Sequence, residues 1–196
     1  MDWLTGRAWS WFLTKKSKLS PTMVHFVQSL ATKGVKVGKF RCDDAGENHT
    51  FKEDSNNILL DVEFEFTGRE TPQYNGKVER LFATILGRYR AMADAAHLPR
   101  KVRLKLSRLG LQHALLLYNG TARKDGAHEC PFVLFDGHIP KSFANLHEFG
   151  QAGMVKFQGK NTCKTDNRGA KMMYVGVPVD HPVDCFLMYN LSLIHI

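Results

Sequence analysis

One stretch constrains the whole chain: residues 71–90, TPQYNGKVERLFATILGRYR. Pro72, Asn75 and Gly76 hold the backbone in a turn, and after Gly76 no proline appears until Pro99, the isolated Gly87 being tolerated inside a helix. A helix is therefore predicted to start near Gly76. Val78, Phe82, Ile85, Tyr89 and Met92 recur at three- and four-residue steps, so one flank of it is apolar. At about 100° per residue, Glu79 falls at the border of that stripe, with Arg90 near the same azimuth further down. A carboxylate so placed can lean over the layer on which the helix packs.

A second acidic position precedes it. In KFRCDDAGEN, residues 39–48, the apolar alternation of Val35, Val37 and Phe40 ends in Arg41, Cys42, Asp43 and Asp44. This reads as a strand closing on an acidic pair. Val62, Phe64 and Phe66 alternate with Glu63 and Glu65 as a half-buried strand would. The polar residues 47–57 between the two strands are weakly helical.

With 35 residues between Asp43 and Glu79, these words resemble the second half of the catalytic signature of retroviral-type integrases, in their copia-type LTR retrotransposon form. That family is usually worded R-S-D-N-G-G-E and T-P-Q-Q-N-G-x-V-E-R. Asp44, Ala45 and Tyr74 depart from it, while Asp43 and Glu79 keep their positions.

The resemblance implies an α/β fold: a partial RNase H-like integrase core, a mixed sheet with flanking helices, followed by a small SH3-like β-barrel. It also implies metal-dependent phosphoryl transfer on DNA, which needs two divalent ions about 4 Å apart. Carboxylates suit Mg²⁺ or Mn²⁺ because those cations prefer hard oxygen ligands. Integrases use three such groups, and the resemblance assigns Asp43 to the second and Glu79 to the third. It makes Gln73 and Asn75 part of the loop flanking DNA, and Lys77, Arg80, Arg88 and Arg90 contacts to nucleic acid.

The first of the family's three aspartates lies upstream of the hairpin that residues 2–13 resemble, and Asp2 matches the turn D-x-x-T rather than the catalytic position. The chain is thus expected to begin inside the core, to bind metal weakly and to lack strand transfer alone. The zinc-binding His/Cys module that precedes such cores is not expected in this fragment.

Charge supports a polyanionic partner. The chain holds 27 basic and 19 acidic residues, a net +8. The excess is concentrated: residues 76–110 carry nine Lys/Arg against Glu79 and Asp94. Cys42, Cys130, Cys163 and Cys185 are scattered without a metal-binding spacing and read as reduced, intracellular thiols. No apolar run reaches the length of a membrane span, and residues 3–13 do not form a secretory signal. His25, His49 and His97 stand alone. For an intact parent the family implies a homo-oligomer acting in the nucleus or a virus-like particle.

The remaining elements follow from periodicity. Residues 2–7 form a turn, and residues 8–14 alternate as a strand would. Ser20 is expected to cap a helix, with Pro21 in its first position, that runs to about Thr32 and stops at Gly34. Residues 100–117 make a basic amphipathic helix, whose polar face contacts either DNA or solvent. ECPFVLFDGHIP (129–140), LHEFG (146–150) and KTDNRGAKMMYVG (164–176) resemble words that follow the integrase core. By composition, the β-rich end could equally extend the first domain.

The expected division is core 1–100, helical connector 101–144 and β domain 145–196, with the closing LSLIHI outside the β pattern. The runner-up to an integrase fragment is a catalytically dead remnant that still binds nucleic acid.

Overall fold

The computed structural model describes residues 1–58, 60–68, 76–121, 129–157, 167–178 and 181–190. The architecture is mixed α/β, and it separates into two compact units, Trp11–Leu81 and the pair of segments Met1–Ser10 and Phe82–Ile196. No helix among the described residues is long and apolar enough to cross a membrane.

In the unit Trp11–Leu81, a 3-10 turn at Lys16–Lys18 leads into α1 (Leu19–Ala31), β1 (Lys39–Asp43), α2 (Gly46–Asn57) and β2 (Glu63–Thr67). The two strands pair in parallel, Phe40 opposite Phe64 and Asp43 opposite Thr67. Their period of two sorts the side chains by face. Phe40 and Phe64 stack across the strands at 5.9 Å, and buried Phe51 of α2 meets both edge-on at 5.2 and 5.1 Å. On the other face Lys39 pairs with Glu63 and Arg41 with Glu65. The helix after β1 is what a parallel partner strand requires.

α1 begins two residues earlier than its sequence suggests. Lys18 is the N-cap, without a side-chain bond, and Ser20 is buried with its hydroxyl donating to Asp54 of α2. Ser20 therefore joins two helices rather than capping one. Gly34 does end α1: at φ 76° it donates to the Ala31 carbonyl, while Val35 donates to that of Leu30.

In the second unit, Asp2 accepts from the Thr5 amide and hydroxyl at 2.7 and 2.6 Å, making the expected turn. The expected strand at residues 8–14 does not form. Buried Ala8 has both main-chain groups taken by one side chain: Asn119 accepts from its N–H and donates to its C=O, each at 2.9 Å. An amide thus replaces the strand neighbour that the alternation implied. Trp9 packs edge-on against Phe135 at 5.0 Å, while Arg7 bonds Asp136.

α3 (Gly76–Ala95) starts where Gly76 predicts, but its apolar stripe is buried only in its later turns. Ile85, Tyr89 and Ala93 are buried, whereas Val78 and Phe82 are 38% and 64% exposed. The reason is a local partner: the Tyr89 ring lies on Gly110 of α4 (Arg100–Gly120), where a Cβ would come within 2.1 Å, and its hydroxyl donates to the Arg103 carbonyl. α5 (Pro131–Asp136) ends on Gly137 at φ 75°.

The strands β3 (Ala152–Lys156), β4 (Gly169–Gly176) and β5 (Leu187–Asn190) form an antiparallel sheet in that order. His113 of α4 packs between Phe149 and Tyr174 of β4, buried, its Nδ1 without a hydrogen-bond partner among the described residues.

Two outcomes follow. Asn119→Ala strands the buried Ala8 N–H, while the Ala8 carbonyl keeps a bond from the Arg7 guanidinium at 3.0 Å, and should cost about 1–3 kcal/mol in urea unfolding; a loss indistinguishable from zero would show that the N–H finds another partner. Burial lowers the His113 pKa from its ordinary value of 6.5. The unfolded chain therefore takes up a proton at a pH where the folded one does not. Stability should drop as pH falls below about 6.5, and His113→Leu should flatten that part of a thermal-midpoint profile.

Candidate metal and nucleic-acid site

Asp43 closes β1, and parallel pairing brings the carboxyl ends of both strands to one edge, where Thr67 donates to the Cys42 carbonyl at 3.2 Å. Ligands of parallel sheets bind outside such ends. The side chain of Asp43 is exposed, and Asn48 in the first turn of α2 fixes it by donating to Oδ1 at 2.5 Å and to the main-chain oxygen at 3.1 Å. Its Oδ2 has no hydrogen bond among the described residues. The neighbouring acid faces elsewhere: Asp44 pairs with His49 at 2.7 Å, and the His49 ring stacks on Phe66 at 4.3 Å.

Glu47 is drawn to Lys16 at 3.0 Å. Its carboxyl lies below the usual range, chiefly through a main-chain hydrogen bond and then through Lys16. It is a structural acid, not a free one.

Glu79 sits in the first turn of α3, exposed. The positive end of the helix dipole favours a carboxylate there. Lys77 and Arg80, also exposed, flank it. Arg90 is exposed, while Arg88 lies over the Tyr118 ring at 5.7 Å and donates to Thr121. Gln73 and Asn75 lie outside the described residues.

Asp43 and Glu79 fit a Mg²⁺-type cation in kind, being hard oxygen donors. They fall short in number. Among the described residues no group of three or more His, Cys, Asp or Glu side chains is placed to hold a metal ion.

Cys42 is half-buried one position before Asp43, with its thiol pushed up to about 11 by burial and then by the charges of Asp43 and Asp44. Sequence reasoning missed Asn48 as the partner of Asp43. A polar residue early in a helix that follows a strand-end acid was the available signal.

No protein-family model matches the chain, and neither does any curated protein. Among solved structures, it is similar to a chain of the cryo-EM structure of the simian T-cell lymphotropic virus intasome in complex with PP2A regulatory subunit B56 gamma. The match has a TM-score of 0.51 at 14% identity and covers 96% of this chain and 67% of the other. The likeness is one of fold.

The Cys42 environment predicts slow alkylation. Its rate with iodoacetamide, followed site by site by mass spectrometry, should climb about tenfold per pH unit to about pH 10, where an ordinary thiol levels off near pH 9. Unfolding in urea should accelerate it more than Asp43→Asn, because burial is the larger cause. A plateau below pH 9 in the folded chain would contradict the buried setting.

Proposed function

We propose that this chain is part of a retroviral-type integrase, of the copia-type LTR retrotransposon form, whose complete catalytic core processes and joins DNA 3′ ends. One observation carries the reading: Asp43 is an exposed carboxylate at the carboxyl edge of a parallel strand pair. From its cross-strand neighbour Thr67 the chain leads directly on to α3, which bears Glu79 in its first turn. The assignment of these two acids rests on their spacing and flanking words. The intasome likeness in fold agrees with a DNA-integration role, with an RNase H-like core and an SH3-like β unit as its finer description.

Asp43 and Glu79 would hold Mg²⁺ or Mn²⁺, which in such sites activates the attacking oxygen and stabilises the leaving one. Asn48 orients the Asp43 carboxylate so that Oδ2 stays available. Lys77, Arg80 and Arg90 offer cations to backbone phosphates, and Arg88 can add a donor without leaving Tyr118, since a guanidinium carries five N–H groups. Gln73 and Asn75 belong, on this reading, to the loop beside the DNA. The partners are DNA and further copies of the intact protein, in the nucleus or a virus-like particle.

A second reading, a remnant that binds nucleic acid without chemistry, is favoured by the two-acid donor set. The two are separated by a 3′-processing and strand-transfer assay on this chain and on a version extended upstream by a strand bearing a third aspartate. Mg²⁺-dependent joining in the extended version, reduced at least 100-fold by Glu79→Gln or Asp43→Asn, is the expected result. No joining in either chain would leave the remnant reading.

A further inference from the structure

α4 is unusual in its charge. Its residues 100–108 include Arg100, Lys101, Arg103, Lys105 and Arg108, it contains no acid, and the sequence has no Asp or Glu between Asp94 and Asp125. Asp94 is itself bound to Arg103. Lys101, Lys105 and Arg108 recur at four- and three-residue steps and so share one side of the helix. Val102, Leu106, Gly110 and His113 are buried on the opposite side.

Lys101, Lys105 and Arg108 are exposed, and Leu104 beside them is 69% exposed, so this face is uncovered. Lys101 and Lys105 form no ion pair among the described residues.

The arrangement works against the helix that carries it. Cations in a first turn oppose the dipole, and like charges four apart repel. A glutamate at position 101 would relieve both, and one at position 105 would relieve the repulsion. A polyanion laid along the face would do the same from outside, and duplex DNA presents about one negative charge per 1.7 Å of its axis.

We infer that the outer face of the first half of α4 binds the phosphate backbone of duplex DNA without regard to base sequence. The choice of DNA among polyanions rests on the proposed function. The surface itself rests on the one-sided charge of α4 and is separate from Asp43 and Glu79.

The test measures binding of the full chain to short labelled duplexes of two unrelated sequences across a salt series, together with thermal midpoints. Lys101→Glu should weaken both duplexes several-fold and lower the log–log salt slope by about one. Its midpoint should hold or rise, because the introduced carboxylate complements the helix start and faces Lys105 four residues on. Lys105→Glu is an independent repeat that should weaken binding likewise.

Opposite signs in binding and stability distinguish recognition from damage. Unchanged affinity and slope in both folded variants would overturn the inference, as would preference for a polyglutamate chain over duplex DNA. Either result leaves the proposed function standing, since strand transfer by the extended version depends on Glu79. Conversely, failure of strand transfer with the salt slope behaving as expected removes the chemistry and leaves the surface.

Discussion

The parallel register of β1 against β2 is the constraint on which the candidate site depends. It sets Asp43 opposite Thr67 and Phe40 opposite Phe64. A slip of one residue would turn every side chain of a strand to the other face, carrying Asp43 toward Phe51 and the aromatic cluster into solvent. Three aromatic contacts on one face and two ion pairs on the other oppose that slip. The exposed carboxylate is held at its edge by a core that never touches it.

What was legible in the sequence was what repeats or punctuates. The two short strands showed themselves by alternation, α3 by its stripe after Gly76, and the end of α1 by Gly34. Asp43 and Glu79 were singled out by spacing joined to flanking words, a signal no periodicity supplies. The segment at residues 8–14 misled because alternation records which side chains are buried, not what satisfies the backbone. There, Asn119, 111 residues away in sequence, fills the role of a neighbouring strand. Ser20 misled for a related reason: the hydroxyl that caps one helix in isolation found Asp54 in the folded unit.

α3 shows where amphipathicity stops being informative. Its stripe is continuous in sequence, yet burial follows the partner surface, present at Tyr89 through Gly110 and missing at Phe82. Periodicity fixes which face can pack. The length over which it does pack is decided by residues elsewhere in the chain, and the absence of a side chain at position 110 was not a feature that the stripe could announce.

The ion-paired face of the two-stranded sheet has a consequence for the chain as a material. Strand edges without neighbours invite copies of a protein to stack into fibrils, most readily in parallel and in register. Such stacking here would set Lys39 on Lys39, Arg41 on Arg41 and Glu65 on Glu65, each losing its opposite-sign companion. The same cross-strand charges that settle the fold thus discourage self-templated aggregation, and they do so at the edge where Asp43 must remain in water.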